Sequence, residues 1–168
     1  MNLLVNFLAY VIGIPILAGL FCLIVPERLK ILTRLLAFVV TLASLAASVR
    51  IFICKPLYWP PVPNPAFIVD SLSALVGLGV AFFSLLITIY SFGFIKKNVN
   101  KYFGYILMTL GASLGAAFSN NLIFFLVFWG FLGLTLYLLI SFGGPASAYA
   151  AKKTFIIVGG SDVVMILG

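Results

Sequence analysis

Asn121-Leu-Ile-Phe-Phe-Leu-Val-Phe-Trp-Gly-Phe-Leu-Gly-Leu-Thr-Leu-Tyr-Leu-Leu-Ile-Ser141 contains no charged side chain. At about 1.5 Å rise per residue, roughly 20 helical residues of this kind cross the roughly 30 Å hydrocarbon layer of a bilayer. The stretch reads as a membrane-spanning helix, and similar apolar runs recur on both sides of it.

Composition agrees with that reading. The chain is 64% hydrophobic and 8% charged, and its mean hydropathy is +1.30. A soluble domain carries about 25% charged residues, so this much apolar surface has no aqueous packing solution. The apolar runs are continuous, whereas barrel strands alternate inward polar with outward apolar residues. The expected fold class is therefore all-α, a polytopic transmembrane helix bundle forming a single domain over residues 1–168. The net charge of +7 falls between the apolar runs, which makes it an orientation signal, and no nucleic-acid partner is expected. With no His and only Cys22 and Cys54, a metal site is not expected. The first apolar run lacks a basic leader and a cleavage site, so it reads as a retained helix.

Six helices are predicted, over about 3–25, 31–53, 70–92, 102–118, 121–141 and 149–168. Pro15 lies inside the first, which bilayer helices tolerate when neighbours satisfy the freed carbonyl. Pro26-Glu27-Arg28-Leu29-Lys30 separates the first two. Residues 54–69 contain Pro56, Pro60, Pro61, Pro63 and Pro65 around Tyr58 and Trp59. That composition excludes a helix and suits an extended outer loop or small hairpin at the headgroup interface. Asp70 is placed to cap the third helix. The fourth contains Gly104, Gly111, Ala112, Ser113, Gly115, Ala116 and Ala117. Small residues let bilayer helices approach closely, so this helix is expected at the bundle centre.

Connections one, three and five hold Arg28, Lys30, Arg34, Lys96, Lys97, Lys101, Lys152 and Lys153, whereas connections two and four hold only Arg50 and Lys55. The positive-inside rule then puts the odd connections in the cytoplasm and the N-terminus outside. The sixth helix has no polar cap or interfacial aromatic at its far end, so either further chain or a partner is expected there.

Four segments, in order, resemble the antiporter-like membrane subunits of respiratory complex I, of multi-subunit sodium/proton antiporters and of energy-converting membrane-bound hydrogenases. Phe67-Ile68-Val69-Asp70-Ser71-Leu72-Ser73 is similar to the family's entry to its third helix, and Ile89-Tyr90-Ser91 to the end of that helix. Phe128-Trp129-Gly130-Phe131 and Tyr137-Leu138-Leu139-Ile140 resemble the family's Phe-Trp-Glu…Tyr-Leu-Leu-Ile. Ala150-Ala151-Lys152-Lys153-Thr154-Phe155, followed by Asp162, resembles the start of its sixth helix. Family members are longer and carry inverted repeats with broken helices that hold a central channel lysine. Only the N-terminal six helices are matched here.

The resemblance implies a proton- or sodium-translocating subunit in a complex I-like NADH-quinone oxidoreductase or membrane-bound hydrogenase. The alternative is a non-pumping scaffold of the same membrane arm. It further implies a prokaryotic inner membrane, partner membrane subunits, and protons or Na+ as the transported species. No cofactor is expected in this chain, since nothing in it suits a flavin, haem or iron–sulfur cluster. Redox catalysis would lie in other subunits. A small-molecule carrier is disfavoured by the lack of an internal inverted repeat.

Gly130 stands where the family has its functional Glu. Its simplest reading is a close-packing notch beside Gly133. Lys153 and Asp162 are the ion-translocation candidates. Lys153 is either the matched functional lysine or a positive anchor snorkelling to the cytoplasmic face. Asp162 is either a proton-exit carboxylate or an interface residue. It lies nine residues beyond Lys153, about 13 Å along a helix, and cannot pair with it directly. Asp70 and Arg50, both expected near the outer face, form a candidate structural ion pair. Glu27 and Arg34 set orientation or contact a neighbour. Ser84, Thr88, Ser113, Thr135 and Tyr137 supply hydroxyls for a water wire or for hydrogen bonds between helices.

Overall fold

The computed structural model describes residues 7–54, 57–59 and 65–167, with backbone alone at 57–59 and 145–146. Six α-helices and one two-stranded hairpin are present among them. Helix α1 (Phe7–Ile24) runs unbroken through a buried Pro15. Pro26 leads into a single 3-10 turn, Glu27–Leu29, and then α2 (Lys30–Cys54). Strands β1 (Leu57–Trp59) and β2 (Phe67–Val69) pair antiparallel with Tyr58 opposite Ile68. The hairpin is thus present at the ends of the proline-rich segment, while Lys55, Pro56 and residues 60–64 lie outside the described residues.

Helix α3 (Ser71–Phe94) starts at the Asp70 cap. Helix α4 (Val99–Phe118) begins earlier than the 102 read from sequence. Its start is set by Asn98, whose left-handed backbone (φ 49°) turns the chain tightly after α3, a conformation Asn tolerates better than most residues. Helix α5 (Leu122–Ser141) is capped by Asn121, whose Oδ1 accepts the Ile123 amide at 2.8 Å. Helix α6 (Pro145–Leu167) also starts earlier than the 149 expected. Pro145 terminates nothing here. It occupies the first helical position, where its fixed φ and missing N–H are no handicap, just after Gly144 at φ 101°.

The bundle is organised around α4, which packs against α1, α2, α3, α5 and β2. This is the central placement its small residues suggest, and close approach is what those residues permit. A Cβ on Gly104 would lie 2.9 Å from the Gly19 carbonyl oxygen, and one on Gly19 would lie 2.7 Å from that of Gly104. One on Gly111 would meet the Ile12 carbonyl at 2.8 Å, and one on Gly115 the Phe128 ring at 2.6 Å. Two apolar clusters result. One joins Leu8, Val11 and Ile12 to Phe67, Val69, Leu110, Leu114 and Phe118. The other joins Cys22 and Ala37 to Val99, Phe103 and Leu107.

Many of the large apolar side chains outside these clusters face outward: Ile24 is 81% exposed, Leu122 71% and Ile156 72%. That distribution is the reverse of a water-soluble protein and suits a surface solvated by lipid. Four helical segments are long and apolar enough to cross a membrane: Phe7–Ile24, Glu27–Cys54, Ser71–Phe94 and Leu122–Ser141. Helix α4 falls below that mark, with Asn100 and Lys101 in its first turn. Its neighbours shield it from lipid. Helix α6, which packs principally on α5, is interrupted by Lys152, Lys153 and Asp162. The chain is an all-α membrane bundle.

Candidate ion-handling residues

Helices α5 and α6 form an antiparallel hairpin joined by the turn at Gly143 and Gly144. Tyr137 and Phe155 meet with ring centroids 5.4 Å apart. Two turns further from the loop, the Trp129 indole Nε1–H donates to Asp162 Oδ1 at 2.7 Å. The indole is steadied from its own helix by Phe125, stacked at 5.5 Å. One turn along α5 from Trp129, Gly133 faces the same carboxylate. A Cβ there would lie 3.9 Å from both Asp162 Oδ2 and Val158 Cγ1. That is ordinary van der Waals distance, so the carboxylate lies close against α5 at this position. Trp129, Leu132, Gly133, Leu136 and Val158 line a groove of about 160 Å³ beside it.

Asp162 is half-buried and receives only the indole among the described residues. A carboxylate within an apolar helix pair is costly, and it persists where a task or a partner requires it. One oxygen is held and the other is open. That arrangement can accept a proton or a cation without first breaking an ion pair.

The remaining candidates are dispersed. Lys153 is exposed and is not brought to Asp162. Gly130 is exposed, and a Cβ placed on it would have nothing within 4 Å. The close-packing notch read at Gly130 is thus corrected: rotation of α5 turns Gly133 toward α6 and leaves Gly130 on the open face. Asp70 is a helix cap. Its Oδ1 accepts from Ser73 N at 2.8 Å and from Ser73 Oγ at 2.7 Å, and the Asp70 amide donates to Ser73 Oγ. These bonds, the Ser73 hydroxyl foremost, hold the Asp70 carboxyl below its ordinary range. Arg50 is exposed near the end of α2, and the bonds described at Asp70 are this cap rather than an ion pair with Arg50.

Two of the bundle hydroxyls, Thr88 and Thr135, bond back to their own helices. Thr88 donates to Ser84 O at 2.8 Å and Thr135 to Leu132 O at 3.0 Å. The helix-to-helix bonds expected of those two threonines are corrected accordingly. A β-branched hydroxyl in a helix reaches the carbonyl one turn back more readily than a neighbouring helix.

Polar bonds between helices come from Asn100, from Arg34, which the sequence reading gives as setting orientation or contacting a neighbour, and from the Ser91–Tyr102 pair. Asn100, 2% exposed, donates through Nδ2 to Val25 O at 2.9 Å and Pro26 O at 3.0 Å, closing the end of α1. Arg34 Nη2 donates to Ile95 O at 2.8 Å, at the C-terminal cap of α3. This places a cation on the negative end of that helix dipole. Ser91 and Tyr102 share a hydrogen bond at 2.9 Å. Trp129 was visible as part of a motif, but its partner lies 33 residues away, and no local periodicity connects the two.

No protein-family model matches the chain. It is 35% identical over 111 residues, 62% of its length, to Na(+)/H(+) antiporter subunit A1 of Staphylococcus haemolyticus. It is 33% identical over 149 residues, 86% of its length, to F(420)H(2) dehydrogenase subunit L of Methanosarcina mazei. It is 28% identical over 177 aligned positions, 94% of its length, to chloroplastic NAD(P)H-quinone oxidoreductase subunit 5 of Amborella trichopoda. The chain spans 14%, 22% and 24% of those three relatives' lengths. An antiporter subunit, a dehydrogenase subunit and a quinone oxidoreductase subunit meet in the family that the sequence motifs resemble, and this chain is a homologue of the antiporter-like membrane subunits of complex I-type families.

Proposed function

We propose that the chain is a proton- or sodium-translocating antiporter-like module of a prokaryotic inner-membrane complex, either complex I-like NADH-quinone oxidoreductase or membrane-bound hydrogenase. In this reading all six helices cross the membrane, the N-terminus is outside, and the basic connections face the cytoplasm. Electron transfer belongs to other subunits, and this chain carries no cofactor of its own.

The observation that carries the reading is the half-buried Asp162 carboxylate, tethered by Trp129 on one oxygen and open on the other. Asp162 is the ion-carrying group. Trp129 is a positioning residue that fixes the carboxylate against α5. Lys153, exposed at the basic end of α6, anchors orientation at the cytoplasmic face.

Gly130 favours the alternative, a scaffold that seals the membrane arm, because the family carboxylate is absent there and the site is open. Ion translocation per electron transferred, measured in the native complex, separates the two. Asp162→Asn is expected to lower coupling at least tenfold while the complex stays assembled, and Lys153→Ala to leave it within about twofold. Full coupling in Asp162→Asn with an intact complex would establish the scaffold reading.

A further inference from the structure

The turn between α3 and α4 carries a second feature, unrelated to Asp162. Phe94, Ile95, Lys96, Lys97 and Phe142 line a groove of about 330 Å³. Its walls are fixed from behind. Phe142 rests on Tyr102, ring centroids 5.6 Å apart, and Tyr102 is bonded to Ser91. Phe94 stacks on Tyr90 at 5.1 Å and remains 71% exposed. The Ile95 carbonyl is taken by Arg34, so the backbone here is held and a third cation lies beneath the groove. Lys96 and Lys97 are exposed and have no ion-pair partner among the described residues. The whole chain contains only three acidic residues, so this positive charge is not balanced from within.

Two ammonium groups above an aromatic-walled groove, at the end of membrane helices, match one kind of molecule. A phosphate headgroup takes the lysines, and an acyl chain takes the phenylalanines. A soluble anion would leave the apolar walls unused, and a zwitterionic lipid would bring its own cation to a site whose positive charge is already uncompensated. We propose that the groove between the α3–α4 turn and Phe142 binds an anionic phospholipid, its phosphate held by Lys96 and Lys97.

The test is native mass spectrometry of the intact assembly, reading the lipid that this chain retains when ejected after incubation with phosphatidylglycerol or phosphatidylcholine vesicles. Phosphatidylglycerol should be retained in preference to phosphatidylcholine. Lys96→Gln/Lys97→Gln should cut that preference roughly tenfold or more, at roughly fivefold per lysine. Arg28→Gln/Lys30→Gln removes the same charge near the start of α2 and should change it less than twofold. Free glycerol phosphate should not compete. An unchanged preference in the double lysine variant overturns the proposal. So does an equal loss in the Arg28/Lys30 control, which would mean unspecific attraction, or displacement by glycerol phosphate, which would mean a headgroup site without lipid.

Discussion

Gly13 and Gly19 lie on the same helix, yet the structure assigns them opposite responses to a methyl group. A Cβ at Gly13 meets nothing within 4 Å, whereas one at Gly19 falls 2.6 Å from Met108 Cγ, 2.7 Å from the Gly104 carbonyl and 2.9 Å from the Met108 amide nitrogen. Met108 can turn its side chain away, but the two backbone atoms cannot yield without moving α4. Relieving the carbonyl contact requires α1 and α4 to separate by about 0.5 Å or more, and a gap of that size forfeits about a quarter of each van der Waals well. Summed over a few tens of atom pairs along the interface, the loss is about 1–3 kcal/mol.

Both substitutions gain the same helix propensity, about 1 kcal/mol, so that contribution cancels in the comparison. Gly19→Ala should therefore be less stable than Gly13→Ala by about 1–3 kcal/mol, with Gly13→Ala at or above the parent. Equilibrium unfolding in mixed detergent micelles, followed by Trp fluorescence, measures the difference. Equal stability of the two variants would refute the α1–α4 packing on which the central position of α4 depends.

Asn100→Leu removes the donor that closes α1 and leaves the Val25 and Pro26 carbonyls unpaired. A destabilisation of about 1–3 kcal/mol is expected in the same unfolding assay, and a neutral result would mean water replaces the amide. Asp70 responds to pH. Because its carboxyl titrates lower in the folded protein than in the unfolded chain, its cap contributes fully above the ordinary carboxylate range and is lost as pH falls through the lowered value. Hydrogen exchange at the Ser73 amide, corrected for intrinsic rate, should accelerate across that acidic window and be fast at all pH values in Asp70→Ala. Trp129→Phe keeps the ring against Phe125 but removes the Asp162 donor. Coupling should fall less than in Asp162→Asn, and a fall as large would make the indole more than a positioning group.

Much of the architecture is legible without coordinates, because transfer into lipid depends on local sums. About 20 apolar residues make a span whatever surrounds them, so helices α1, α2, α3 and α5 and the class of the fold follow from hydropathy. Caps are similarly local: Asp70 and Asn121 bond atoms two or three residues away. The central place of α4 was readable too, since an accumulation of Gly and Ala has few other uses in a bilayer. The helix starts at Val99 and Pro145 were misjudged because Asn98 and Pro145 serve as helix beginnings, roles that depend on backbone angles rather than residue type alone.

Tertiary structure decided what depends on the rotation of one helix against another. Gly130 and Gly133 are indistinguishable in a sequence of apolar neighbours, yet three residues is most of a helical turn, and only Gly133 faces Asp162. The same holds for Gly13 against Gly19. The Arg34–Ile95 bond joins residues 61 apart and the Asn100–Val25 bond residues 75 apart. Such pairings are fixed by how helices dock, not by any pattern within one of them. Composition by itself determined that this chain dissolves in a membrane as helices. Which carboxylate is tethered, which glycine is packed and which lysines overlook a groove were settled by helix packing, because in lipid, where the hydrophobic effect does not drive helices together, contact geometry selects the partners.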